Sequence, residues 1–429
     1  MCTICFLTDK QQYLLRHSSM IRSDRFEHTL ENYCDEFINK FYETNYSLCS
    51  KHENDINIKI INSLKEIDKA SIITFFRGIR KVYIDWINAS LSTAITNFSE
   101  LLNKYKLINF KCELSNEVFF RCRESEIFIS HWDMFHIPFN KRFLIGNQRY
   151  SLTGQPILYF STSPYGAYKE LGTYDNLRIS SFILKASNIL TIFENENKFE
   201  KLIVDNSDTD TNTITNTMIN YELLQDSHNI ISMFYLLILS SCCSFPRRNV
   251  TTDIKDSKFV EEYVLPQILT ATLKDKKLCD GIKYTSTKSY IDSLNNSPTD
   301  IKTKLYSNYC IFTNYEYHDY TKIKDVYDRN LYNKFIISNP INFTDSINEN
   351  LYNLDDILYL IDDIDSNNGI PLHYKNISYE LGDYLKLLTD FIVNNPSLKE
   401  LETKFINLHI LFARNILLNI KDFKEVNYE

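Results

Sequence analysis

The sequence predicts an α+β protein in which a central segment of mixed strands and helices is flanked by α-helical regions on both sides. Apolar residues recur at helical spacing in residues 1–110 and again in residues 345–429. Residues 111–344 instead carry short β-rich runs separated by turn signals. The length of 429 residues fits about three domains, at roughly 150 residues each.

The N-terminal region is clearest over residues 53–108. Ile56, Ile60, Leu64 and Ile67 follow one another at three- and four-residue steps, as one buried helix face requires. The same stretch has no proline and a single glycine, Gly78. From Cys112 the pattern changes to "EVFFRCR", "PILYFS", "LRISSFIL" and "LIV", with His-Ile-Pro, Leu-Thr-Gly-Gln-Pro and Ser-Pro-Tyr-Gly between them. Helical pieces are expected near residues 165–171 and 260–273. The polar segment "DNSDTDTNTITNT", residues 205–217, reads as a loop or insertion. Helical periodicity returns after a boundary near Thr344, over residues 355–364, 378–394 and 398–422.

Composition excludes several classes. A hydrophobic fraction of 44% with 14% aromatics belongs to a folded chain. The net charge of −8 argues against a nucleic-acid footprint spread over the whole sequence. The start of the sequence lacks the basic and apolar parts of a secretory signal. The longest apolar run, residues 230–243, is shorter than the roughly 20 residues that span a bilayer. These features predict a cytoplasmic protein without membrane or nucleic-acid partners. Ten irregularly spaced cysteines fit reduced thiols better than a disulfide framework.

The central segment concentrates the candidate chemistry. Arg121 closes an apolar run, Arg149 precedes a turn, Tyr159 lies in "PILYF", and Glu170 ends a short helical piece with Tyr165 and Tyr168. Ser286 follows a short run that starts at an Asp-Gly turn. A guanidinium forms paired, charge-assisted hydrogen bonds with phosphate. Tyrosine offers a flat face with a polar tip. A carboxylate beside a sugar carbon stabilises an oxocarbenium-like transition state. Together the five suit a nucleotide whose glycosidic bond is to be cut. Taken singly, each has a plain alternative: surface ion pairs for the arginines, core packing for Tyr159 and solvation for Glu170.

The stretch "FFRCR…FHIPFNKRFLIGNQRYSLTGQPILYFSTSPYGAYKEL", followed by "FVEEYVLPQIL…CDGIKYTST", resembles the RES domain family over roughly residues 115–340. Its dispersed Arg, Glu and Ser map to Arg121, Glu170 and Ser286. The contiguous Arg123-Glu124-Ser125 is a coincidence of letters. Arg149 and Tyr159 match the further arginine and tyrosine of the pocket, whereas Glu262, Tyr263 and Gln267 match the second block and read as scaffold.

The resemblance implies a fold like that of ADP-ribosyltransferases, a split mixed β-sheet with an NAD cleft. It also implies a toxin or immunity effector that destroys NAD by phosphorolysis or hydrolysis. In that reading Arg121 and Arg149 hold the pyrophosphate and Tyr159 orients the nicotinamide ribose. Glu170 stabilises the cation formed as nicotinamide leaves, and Ser286 positions substrate or attacking oxygen. NAD is then the substrate, with no further cofactor expected. An antitoxin or regulatory protein and a second copy of the chain are the expected partners.

The N-terminal region resembles the HEPN-type helical segment found ahead of some RES domains, and "RSDRFEH" offers Arg22 and His28 as a ribonuclease pair. Ribonuclease activity, ADP-ribose transfer to a macromolecule and a catalytically inactive binding module are the rival readings. Cys2-x2-Cys5 and Cys49-x2-His52 form a pattern that could close a zinc site. The residues between the pairs far exceed the roughly 15–20 of a compact zinc ribbon. The expectation carried forward is therefore no metal, with Cys2, Cys5, Cys49 and His52 as the candidate set. His131, Trp132, His136 and His318 read as structural, and Cys242-Cys243 as core packing.

Overall fold

The computed structural model describes residues 1–22, 25–172, 176–186, 188–202, 226–248, 259–288, 301, 305–316, 321–343, 354–394 and 400–421. The polar segment 205–217, the boundary near Thr344 and His318 lie outside the described residues. The chain is mixed α+β and divides into two compact units. The first comprises Met1–Lys111, Gly146–Thr153 and Phe193–Tyr290, and the second Cys112–Ile145, Gly154–Ile192 and Ile291–Glu429. In chain order the strands are β1 (Lys111–Leu114), β2 (Val118–Glu124), β3 (Ile157–Ser161), β4 (Leu177–Leu184), β5 (Leu190–Asn195), β6 (Gly281–Thr285), β7 (Ser307–Phe312), β8 (Phe335–Ile337) and β9 (Ile341–Asn342).

The first unit is mainly helical. Asn54 and Asp68 accept the main-chain N–H of Asn57 and Ser71, which starts helices Asp55–Leu64 and Lys69–Ile87 where the periodicity predicts them. Ile60, Leu64 and Ile67 are buried on the expected face. Helix Ser227–Cys242 is apolar all round and buried, so the longest apolar run is a core helix. Phe234 from this helix packs 4.9 Å from Phe41 and 5.6 Å from Phe37. Among the described residues, no helix is long and apolar enough to cross a membrane.

The second unit is built on an antiparallel run of strands in the order β7-β3-β2-β4-β8, with β9 also paired to β4. Alternation along β2 sends Phe119 to one face and Phe120 to the other. Both faces are covered. Val118, Phe120, Ile179 and Ile183 pack with helices Leu354–Ser366, Leu372–Asn394 and Glu400–Lys421. Phe119, Phe160, Phe182 and Leu184 pack with Met134, Phe135, Val326 and Tyr327. Through this apolar packing the C-terminal helices belong to the same compact unit as these strands.

The runs "VFFRCRE", "ILYFS" and "LRISSFIL" form β2, β3 and β4, as the sequence predicts. Of "LIV", only Leu202 is described, at the end of a helix, and residues 203–204 lie outside the described residues. Asn197 accepts the N–H of Phe199 and starts a one-turn helix, Phe199–Leu202. Strand β7, "SNYCIF", is an additional element that no turn signal marked.

Helix Pro164–Leu171 follows β3 through a tightly bonded Ser161-Thr162-Ser163 turn. Ser163 caps the helix by accepting from Gly166 N, and its hydroxyl donates to the Leu305 carbonyl at 2.8 Å. Thr162 donates to the Ser307 carbonyl. Gly172, at φ 83°, ends the helix with its N–H on the Tyr168 carbonyl at 2.8 Å. Tyr168 stacks on Phe405, with centroids 4.3 Å apart. A Cβ on Gly166 would fall inside van der Waals distance of both Ser161 Oγ and the Leu305 carbonyl. Gly166→Ala should therefore destabilise the second unit by about 1–3 kcal/mol. Urea unfolding followed by the fluorescence of Trp132, in a Trp86→Phe background, measures this, and an unchanged midpoint would contradict the packing described.

Candidate functional site

In the second unit, Arg121, Tyr159 and Glu170 gather around the second half of β3. Strands β2 and β3 pair at Phe120↔Ser161. One residue further along β2, the Arg121 guanidinium donates to the Tyr159 carbonyl at 2.9 Å, taking a position that a continuing ladder would fill with main chain. Its Nε is buried and has no hydrogen-bond partner among the described residues. Burial, with help from the like charge of Arg123, pulls the Arg121 pKa down to about 10. It remains a cation at neutral pH, with donors that water does not fully satisfy.

Glu170 is exposed at the end of helix Pro164–Leu171, and its Oε1 accepts from Asn308 Nδ2 at 2.8 Å. Asn308 is buried in β7 opposite Ser161, and its Oδ1 has no partner among the described residues. Tyr159 is half-buried, and pairs with Cys310 two positions from Asn308. Sequence reading missed Asn308. The available signal was a polar amide at the start of an otherwise apolar run, "SNYCIF". Tyr165 and Tyr168 face the C-terminal helix Glu400–Lys421, so their role is packing.

Arg149 and Ser286 belong to the first unit. The Arg149 guanidinium donates to the Cys243 carbonyl at 3.0 Å and lies over the Tyr263 ring at 4.8 Å. Gln267 holds the same turn, donating to Asn147 Oδ1 at 2.7 Å and to the Gln148 carbonyl at 3.0 Å. Glu262 pairs with Arg248. Tyr263 and Gln267 thus position the turn that presents Arg149. The adjacent Tyr150 is buried, with its ring 4.4 Å from that of Tyr284 in β6, two residues before Ser286. Ser286 is fully buried, and its Oγ accepts from Lys288 N at 3.2 Å.

The remaining candidates take structural places. Trp132 stacks on Tyr332 at 3.9 Å between centroids, and His131 lies 6.1 Å from the same ring. Arg22 is exposed and pairs with Glu36, and His28 is exposed on helix Phe26–Glu43. Cys242 and Cys243 are buried, and burial pushes the Cys243 thiol up to about 12. A group that spacing had counted against does come together. The ligand atoms of Cys2, Cys5, Cys49 and His52 all lie within 4.8 Å of one another.

What the fold and these residues define is a mixed α+β protein with a desolvated arginine and an amide-held carboxylate beside one strand. No family model matches the chain, and no solved structure matches it. Among curated proteins it is similar to "Putative toxin YopC" of Bacillus subtilis (strain 168), at 30% identity over 237 residues. The alignment covers 53% of this chain and 49% of that protein, so the chain spans about half the length of the curated relative it matches.

His136 gives the second unit a pH signature. It is buried, its Nδ1–H donates to the Ile137 carbonyl at 2.7 Å, and its Nε2 accepts from Asp328 N at 2.9 Å. That tautomer leaves no place for a second ring proton, and burial lowers the pKa from 6.5 to about 4. Above pH 6.5 the ring is neutral in both states and its contribution is complete. Below that, the unfolded chain gains a proton that the folded chain refuses until about pH 4. The second unit should lose about 3 kcal/mol as pH falls through this window. His136→Asn, whose amide can still donate to Ile137, should remove that part of the slope in urea unfolding between pH 7.5 and pH 4.5. An unchanged slope would show that His136 does not titrate as described.

Proposed function

We propose that this chain is a toxin enzyme that cleaves the nicotinamide–ribose bond of NAD, passing the ADP-ribosyl group to phosphate or water. The observation that carries the reading is the pair of polar anchors around β3. One is the part-buried Arg121 guanidinium, whose buried Nε has no partner among the described residues, and the other a Glu170 carboxylate held by the buried Asn308. The RES-like motifs supply the reaction class, and the similarity to a protein named as a toxin supports the biological setting.

In this mechanism Arg121 binds pyrophosphate oxygens, because its donors are desolvated and charged. Tyr159 orients the nicotinamide ribose. As the C1″–N bond breaks, its electron pair leaves with nicotinamide, and Glu170 accepts from the ribose hydroxyls and stabilises the cationic sugar. Phosphate or water then adds to C1″ and gives up its proton to solvent. Asn308 is a positioning residue that acts through Glu170. An NAD-consuming toxin would work in the cytoplasm and needs restraint by an antitoxin or regulatory protein.

Purified protein should release nicotinamide from NAD, followed by proton NMR with and without phosphate. Glu170→Gln should lower kcat by about 10²- to 10³-fold. ADP-ribose 1″-phosphate formed only with phosphate would identify a phosphorylase, and ADP-ribose in both conditions a hydrolase. Full NAD turnover by Glu170→Gln would sink the assignment. Asn308→Leu should lower kcat by about 10-fold or more with KM little changed, because a loosened carboxylate affects the transition state more than binding.

A further inference from the structure

We propose that Cys2, Cys5, Cys49 and His52 hold a structural zinc ion in the first unit. Three cysteine sulfurs surround one imidazole nitrogen. His52 Nδ1 lies 3.7 Å from Cys2 Sγ, 3.5 Å from Cys5 Sγ and 3.3 Å from Cys49 Sγ. Zinc bonds sulfur at about 2.3 Å and nitrogen at about 2.0–2.1 Å, so a regular tetrahedron separates the two ligand atoms by about 3.6 Å. The three distances bracket that edge. All four ligand atoms also lie within 4.8 Å of one another.

The surroundings are already arranged for this. Cys2 is the N-cap of the one-turn helix Thr3–Phe6 and Cys5 lies within it, and the Cys49–His52 turn closes through His52 N on the Cys49 carbonyl at 2.9 Å. Thr3 N donates to the Ser47 carbonyl at 2.9 Å, and Thr3 Oγ1 donates to Thr44 Oγ1 at 2.9 Å. Asn57 Nδ2 fixes the His52 carbonyl at 3.0 Å. Cys2 and His52 are buried and Cys5 and Cys49 half-buried, so the cluster is partly shielded from water.

The donor set selects the ion. Thiolates and an imidazole favour zinc over magnesium or calcium, which take oxygen ligands. A disulfide between two of the cysteines would leave the third sulfur and the imidazole without a purpose in the arrangement, and all three cysteines are free. Four protein ligands leave no open position, so the ion would be structural. A four-residue helix cannot hold itself in water. Zinc would tie it to the segment between helices Phe26–Glu43 and Asp55–Leu64.

The test uses the full-length, untagged chain. Metal analysis after native purification should find one zinc per chain, released by a strong chelator with a fall in Tm. Cobalt added to the stripped protein should give the intense visible bands of a tetrahedral site and a thiolate charge-transfer band. His52→Cys should keep the metal with an altered cobalt spectrum, and Cys49→Ser should lose it. Should Cys49→Ser fail to fold, the cobalt titration of wild type decides alone. Zinc-free protein that takes up no cobalt, or octahedral cobalt bands, would overturn the site.

Discussion

The antiparallel pairing of β3 with β7 is the interaction on which the rest of the second unit depends. It joins segments about 150 residues apart in sequence, so its closure entropy has to be offset by what it buries. Leu158 and Phe160 from β3, with Tyr309 and Ile311 from β7, supply one apolar face. The same pairing lets Thr162 and Ser163 hydrogen-bond to the Ser307 and Leu305 carbonyls, which fixes the start of helix Pro164–Leu171. It also brings Asn308 to Glu170. Without β7 the carboxylate would lose its bond to Asn308.

Burial of polar groups in this unit follows a consistent logic. His136 is buried but fully bonded, so desolvation fixes it as a neutral strut between the "HIPF" segment and the Asp328 turn. Arg121 and Asn308 are different, because each keeps a buried polar atom without a partner among the described residues. Leaving such atoms unpaired costs about 1–3 kcal/mol each. That cost is reasonable where a polar ligand completes the bonding, which is why these two residues stand apart from His136, Trp132 and Tyr168.

The first unit shows how two distant sequence blocks depend on each other. Tyr263 and Gln267 were matched as scaffold, and the structure gives that role a physical content: a ring beneath Arg149 and a side-chain amide bonded to the turn before it. The cluster of Cys2, Cys5, Cys49 and His52 makes the same point for the N-terminal segment. Loop length argued against a metal, but helices Asp9–Ile21 and Phe26–Glu43 fill most of that separation and return the second pair to the first.

Local pattern alone determined the helices at 3.6-residue spacing, strands β2, β3 and β4, and the Ser-Pro-Tyr-Gly start of the helix that carries Glu170. These were readable because each depends on neighbours within a few residues, through alternation, caps and turn chemistry. Tertiary structure decided what could not be read that way. Strand β7 and Asn308 acquire meaning only opposite β3, and Arg121 is distinguished from a surface arginine only by its burial against the Tyr159 carbonyl. The zinc ligands converge only when the chain has doubled back. The common physical reason is that packing between residues far apart in sequence sets burial, and burial sets which polar groups are left to act.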